Sequence, residues 1–257
     1  MQWLTRVAGA AAIALVAGPL VAAEDPVPLA PLHVIPTESQ VTQPIPAGAP
    51  ARVRISTADP QGLAAVLGVA APDSQTTLDY LIDQYPQLRT SVARTWLEPT
   101  FVIDFNEEAF APLRKQLAER GSQTTRLQLV EFVAGVINES DERNWDLASV
   151  VAERRKGDCS EHAVLTAALA RLQGIPARVV LGVALVSDGK HHGAFGHAWA
   201  ETLEDGKWRV ADAALFEMKA AVRYLPIGVL EDEGMGYSMD LMRIMQIWVE
   251  RVVVLGP

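Results

Sequence analysis

The sequence contains a single cysteine, Cys159, among 257 residues, so no disulfide can form within the chain. Aromatic residues make up only 6% and charged residues 21%, against 49% hydrophobic residues. This composition excludes a fully disordered chain, a collagen-like chain and a many-span membrane protein. Lys and Arg number 22 against 31 Asp and Glu, which gives a net charge of -9. Because binding to phosphates requires clustered cations, we expect no nucleic-acid partner.

The N-terminus lacks an uninterrupted apolar run of the roughly 20 residues that a transmembrane helix requires. It has instead the three parts of a secretory signal peptide, namely Arg6, the apolar residues 7–16 and the small residues 21–23. The sequence therefore predicts a signal peptide over residues 1–23, with an uncleaved anchor as the alternative. The mature chain is expected to be exported, periplasmic or secreted, without a membrane span.

Seven prolines lie within residues 24–50, where they prevent a continuous helix or a central strand. We expect this segment to be an extended linker or a strap over the domain surface. Residues 51–257 are predicted to form the folded domain, with a core over about 124–257 and an N-terminal helical extension before it. The residue patterns predict helices at 76–85, 107–120, 124–138 and 145–155, and a strand at 96–105.

The lone thiol lies at the start of a predicted helix. Asp158 and Glu161 have the spacing of a capping box, which opens an Ala- and Leu-rich helix from about residue 159 to 172. In the first turn, free backbone N–H groups and the positive end of the helix dipole favour the thiolate of Cys159. The nearby carboxylate of Asp158 opposes that effect, so a base is needed.

His197 is the best candidate for the base. Residues 196–201 alternate as a strand, an Asp205-Gly206 turn follows, and residues 208–212 return. Pairing Glu204 with Lys207 makes Asp212 the diagonal neighbour of His197 on the same face, whereas a slip by one residue would move Asp212 to the other face. Cys159, His197 and Asp212 are thus predicted to act as nucleophile, base and orienting carboxylate.

Four sequence blocks in this region, taken in order, resemble the transglutaminase-like superfamily of cysteine enzymes, in particular its bacterial members. The blocks lie at residues 157–163, 170–179, 196–199 and 208–212. The resemblance implies a papain-like α+β fold, in which the nucleophile helix packs on an antiparallel sheet that supplies His and Asp. It also implies that Cys159, His197 and Asp212 form a catalytic triad. The sequence Asp-Ala-Ala at 212–214 departs from the usual Asp-Pro-Thr ending, which loosens the turn but leaves the carboxylate.

Members of this superfamily include acyltransferases, proteases, amidases and non-catalytic scaffolds. The resemblance therefore implies an enzyme that cleaves or transfers acyl groups of peptide or isopeptide amides through a Cys159 thioester. The expected partner is a protein or peptide substrate, whose acyl group passes either to water or to an amine acyl acceptor, with water favoured, and no cofactor is expected. The alternative is a non-catalytic binding or assembly module of the same fold.

Four further residues are possible site-lining residues. His162 lies one helical turn after the thiol, and Trp199 flanks the base on its strand. His191 and His192 are predicted in a glycine-rich loop. A partly buried helix histidine, a core tryptophan and solvated loop histidines are the alternatives. The Cys and His residues lack the short ligand spacing of a structural zinc site, so no metal is expected.

Overall fold

The computed structural model describes residues 34–41, 45–46, 48–82, 87–90, 95–121, 124–140, 145–187, 192–218, 220–245, 247 and 249–257. The predicted signal peptide lies outside these residues and stays a prediction. Within the described ranges, none of the helices combines the length and the apolar character needed to cross a bilayer.

The described residues form an α+β structure. Its helices are α1 (Pro60–Leu67), α2 (Ala111–Glu119), α3 (Arg126–Val136), α4 (Ala148–Arg154), α5 (Cys159–Leu172) and α6 (Tyr237–Met245). Its strands are β1 (Val34–Ile35), β2 (Thr37–Ser39), β3 (Ala51–Thr57), β4 (Thr77–Ile82), β5 (Asn138–Glu139), β6 (Lys156–Gly157), β7 (Ala177–Ser187), β8 (His192–Glu204), β9 (Lys207–Ala211), β10 (Ala221–Val229) and β11 (Val249–Gly256).

The first sheet is antiparallel and is built around β8. Strand β7 pairs with β8 along its whole length, and β10 pairs with the far side of β7. The other edge of β8 is shared, because β1 pairs near its beginning and β9 pairs at its end. Every residue of β7 is buried, which explains its almost continuous apolar sequence.

Helix α5 packs against this sheet, on β8 and β7. All residues from Ser160 to Arg171 are buried. A helix that is covered on all sides needs no polar face, which explains why its sequence is rich in Ala and Leu throughout. Ala198 and Ala200 of β8 belong to the same core, and His197 and Trp199 occupy the alternate positions of that strand.

The second sheet has the strand order β2-β11-β3-β4. Strand β3 alternates buried and outward-facing residues, as expected for a sheet with one face on the core. Residues 34–39 of the proline-rich segment contribute β1 to the first sheet and β2 to the second. This described part of the segment therefore connects the edges of the two sheets.

Two buried ion pairs lie near the corner between α5 and β7, one formed by α5 and the other joining β7 to β8. Arg171 donates to Glu233 at 2.6 Å and also to the carbonyl of Ala177. Arg178 donates to Glu201 at 2.7 Å, and its guanidinium lies over the ring of Trp208. A buried charge is tolerated when it is paired and hydrogen-bonded, so these contacts allow four charged side chains inside the core.

Two predicted elements of the N-terminal extension are wrong. The helix expected at 76–85 is strand β4, because residues Thr77–Ile82 pair with β3 across the second sheet. The strand expected at 96–105 is a series of bends and turns, in which the N–H of Val102 donates to the carbonyl of Glu233 and its carbonyl accepts from the N–H of Ala148, instead of joining a sheet. The extension thus combines α1 and α2 with β3 and β4 and is not purely helical.

Candidate active site

Helix α5 begins at Cys159, as the capping pattern predicts. The carboxylate of Asp158 accepts from the backbone N–H of Ser160 at 2.8 Å, and Glu161 accepts from the N–H of Asp158 at 2.9 Å. Cys159 occupies the first turn and is partly exposed. The thiol is therefore next to the free N–H groups of the helix and within reach of a substrate.

His197 and Asp212 form a buried pair. Strands β8 and β9 have the predicted register, with Glu204 opposite Lys207 and Ala200 opposite Ala211. Asp205 and Gly206 both have positive φ, as a two-residue hairpin turn with the twist of the strands requires. Asp212 follows directly after β9, and its Oδ2 accepts from Nε2 of His197 at 2.8 Å.

The carboxylate of Asp212 is surrounded by hydrogen-bond donors. Its Oδ1 accepts from the backbone N–H groups of Ala214 at 3.0 Å and Leu215 at 3.3 Å, while Oδ2 also accepts from the hydroxyl of Tyr224 at 2.8 Å. Burial alone raises the pKa of this carboxyl, but the charge of His197 and these donors outweigh burial and lower the pKa below its usual value. Asp212 therefore stays ionised next to the imidazole.

The imidazole of His197 is stabilised in its charged form. Burial opposes the charge, but Asp212, together with the hydrogen bond and the charge of Cys159, raises the pKa of His197 to about 10. Since Nε2 donates to Asp212, Nδ1 is the ring nitrogen available to interact with the thiol of Cys159. The structure thus brings the three predicted residues together in the order sulfur, imidazole and carboxylate.

Aromatic rings enclose the imidazole. Trp199 stacks on His197 with 6.0 Å between ring centroids, and Phe195 meets it edge-on at 5.6 Å. Trp199 is fully buried. Trp199, predicted as a possible site-lining residue, therefore contacts the imidazole and shields it from water.

The other predicted histidines have different surroundings. His162 is buried, and its Nδ1 donates to the backbone carbonyl of Asp158 at 2.7 Å. Burial lowers the pKa of His162 more than that carbonyl and the charge of Asp212 raise it, so this ring is neutral beside the site. The backbone of His192 opens strand β8, which corrects the predicted loop position. His191 lies outside the described residues.

Trp145 is a candidate that the sequence pattern did not single out. Glu161 accepts from the backbone N–H of Asp146 at 3.2 Å and from that of Asp158, which ties the loop before α4 to the first turn of α5. The neighbouring indole N–H of Trp145 is buried and has no hydrogen-bond partner. Since a buried donor without a partner is costly, this N–H is an unsatisfied polar group on the loop that Glu161 holds against the first turn of α5.

The residues that the structure describes contain no group of three His, Cys, Asp or Glu side chains arranged to hold a metal ion. The chemistry of the site is therefore considered from the thiol, the imidazole and the carboxylate.

Comparison with known proteins identifies the region around the site. Residues 119–213 match the family model of the transglutaminase-like superfamily, which confirms the resemblance seen in the sequence over a range that contains Cys159, His197 and Asp212. No curated protein matches the sequence.

Solved structures similar to the chain include the following two. One is a candidate cysteine protease from Cytophaga hutchinsonii, with 18% identity, 51% of this chain and 45% of that chain covered, and a TM-score of 0.39. The other is the periplasmic domain of TgpA from Pseudomonas aeruginosa bound to ethylmercury. It is 20% identical, the match covers 41% of this chain and 43% of that chain, and the TM-score is 0.31. The chain thus spans less than half the length of both structures.

Proposed function

We propose, from the match of residues 119–213 to the transglutaminase-like superfamily, that this chain is an exported cysteine enzyme acting on peptide or isopeptide amides. The observation that carries the proposal is the buried contact of His197 with Asp212 at 2.8 Å, with Cys159 near enough to the same imidazole to raise its pKa. A nucleophile, a base and an orienting carboxylate in contact are the groups that acyl transfer through a thioester requires.

The first half of the reaction forms the thioester. The thiol proton of Cys159 moves to Nδ1 of His197, and the thiolate attacks the carbonyl carbon of the amide. As the tetrahedral intermediate collapses, the C–N bond breaks and the imidazolium returns the proton to the leaving amine. Asp212 keeps the imidazole oriented and stabilises its charged form in both steps.

The second half releases the acyl group. Water or an amine gives a proton to His197 and attacks the thioester carbon, and the C–S bond breaks to regenerate the thiolate. We favour water as the acceptor because it is abundant outside the cell. With an amine as the acceptor, the same steps give a new amide bond.

The developing oxyanion requires donors. The backbone N–H of Cys159, in the first turn of α5, is one candidate, since it has no partner within the helix. The buried indole N–H of Trp145 is the side-chain candidate, on a loop that Glu161 holds against the same helix turn.

The experiment that tests this proposal is a screen of peptides, with and without amine donors, on the mature protein and on Cys159→Ala. We expect cleavage or amide exchange with the unaltered protein alone. If the unaltered protein binds peptides without turnover, the chain is a binding module instead of an enzyme. If Cys159→Ala has the same turnover, the activity does not use the thiol.

A further inference from the structure

Tyr224 makes a direct contact with the carboxylate of the site. Its hydroxyl donates to Oδ2 of Asp212 at 2.8 Å, the same oxygen that accepts from Nε2 of His197 at 2.8 Å. The backbone N–H groups of Ala214 and Leu215 donate to the other oxygen, Oδ1. Each oxygen of Asp212 therefore has two donors, and Tyr224 is the side chain that shares an oxygen with the imidazole.

We propose that Tyr224 is a positioning residue, whose hydroxyl fixes and keeps ionised the carboxylate on which His197 depends. The proposal rests on the proposed function, because it assigns Tyr224 a role in setting the charge state of the Cys159–His197 pair.

The strand register explains how a tyrosine on β10 reaches a carboxylate beyond β8. Tyr224 lies opposite Ala184 of β7, and His197 lies opposite Gly182 of the same strand. Because these two β7 residues are small, the phenol ring can cross β7. It packs against Trp199 with 5.1 Å between ring centroids and lies 6.4 Å from His197.

The charge of the surroundings fixes the direction of the hydrogen bond. Burial, the charge of Asp212 and the hydrogen bond to it raise the pKa of Tyr224 well above its usual value. The phenol therefore stays protonated and donates over the working pH range. A carboxylate that accepts such a bond is stabilised over its protonated form, so loss of the hydroxyl raises the pKa of Asp212.

The test is Tyr224→Phe, which removes the hydroxyl and keeps the ring. The measurement is the rate of Cys159 alkylation by iodoacetamide across the pH range. Once Asp212 is protonated it no longer stabilises the imidazolium, and the thiolate paired with it is lost. On the acid side, the alkylation rate falls as the pH is lowered. Because a hydrogen bond to a charged group is a strong one, we expect the midpoint of this fall to lie roughly one pH unit higher in Tyr224→Phe.

Tyr237→Phe is the matched control, since Tyr237 lies in α6 and its ring packs beside Phe101, and among the described contacts none joins it to Cys159, His197 or Asp212. Tyr237→Phe should leave the pH dependence of Cys159 alkylation unchanged. In an Asp212→Asn background, Tyr224→Phe should give no further change, because the proposed route runs through that carboxylate.

If the alkylation rate of Tyr224→Phe falls at the same acidic pH as that of the unaltered protein, the proposed role of Tyr224 is wrong. If the unaltered thiol reacts no faster than free cysteine, the proposed function itself fails. Should Tyr224→Phe not fold, proton NMR of the unaltered protein decides, because the bonded Tyr224 hydroxyl proton should exchange slowly with water. A hydroxyl proton in rapid exchange contradicts the proposal.

Discussion

At the scale of single residues, Trp145 has the most specific predicted effect. Its buried N–H is proposed to bind the oxyanion, so Trp145→Phe should lower kcat for a substrate found in the peptide screen by about 100-fold, with little change in KM. Alkylation of Cys159 by iodoacetamide forms no oxyanion and is the control. Its rate should not change. If Trp145→Phe loses both substrate turnover and Cys159 alkylation, Trp145 supports the structure only.

Glu161 gives a stability test with a defined sign. Burial raises the pKa of Glu161 from 4.5 to about 7, against the backbone N–H groups that lower it. Between about pH 4.5 and pH 7, the folded protein thus holds a proton that the unfolded chain releases, so this group makes the free energy of unfolding fall as pH rises. In Glu161→Gln the fall should be smaller, as measured by urea denaturation at pH 5 and pH 7. If the free energy of unfolding falls equally in Glu161→Gln and in the unaltered protein, Glu161 does not have a raised pKa.

The three predicted site residues could be found because their signals are local. A capping box fixes the start of α5, and a two-residue turn fixes the register that brings Asp212 to His197. Tyr224 had no such signal. Its contact with Asp212 depends on the pairing of β10 with β7, which residues near Tyr224 do not determine.

At the scale of elements, Gly182 of β7 makes room for the aromatic residues around His197. A Cβ at this position would lie 2.3 Å from the carbonyl oxygen of Leu225 and 2.7 Å from Cη2 of Trp199. Because the first neighbour is backbone, Gly182→Ala forces β10 or Trp199 to move. We expect a loss of about 1–3 kcal/mol in the free energy of unfolding, together with slower alkylation of Cys159.

Gly135→Ala is the matched control for this strand variant. Gly135 lies in α3, and a Cβ there meets no atom within 4 Å. The same chemical change should therefore leave alkylation unaltered and stabilise the protein by at most about 1 kcal/mol, as measured by urea denaturation. Equal effects of the two substitutions would contradict the packing role of Gly182.

Elements with a clear pattern of their own were predictable, and those that depend on a partner were not. Helix α5 was predicted with its observed bounds, residues 159–172. Strand β4 was predicted as a helix, because its six residues become a strand only through pairing with β3. Residues 96–105 resembled a strand, but the backbone groups of Val102 bond to Ala148 and Glu233, which are distant in sequence.

At the scale of the whole molecule, the proline-rich segment is held by residues that are far away in the sequence. Strand β2 pairs with β11, more than two hundred residues later, and Arg223 of β10 donates to the carbonyls of Pro46 and Ala49. The proline content predicted an extended segment. No pattern within it specifies which sheet edges it meets, because those edges are formed by other strands.

The measurement that tests the central claim most directly is the pH dependence of Cys159 alkylation by iodoacetamide in the mature protein and in His197→Ala. Because the chain has one cysteine, the mass of the whole protein reports on this thiol alone. We predict rapid labelling that persists well below the free-thiol pKa of about 8.5, and its loss in His197→Ala. Labelling that follows the ionisation of free cysteine in both proteins would contradict a thiolate–imidazolium pair and the catalytic role built on it.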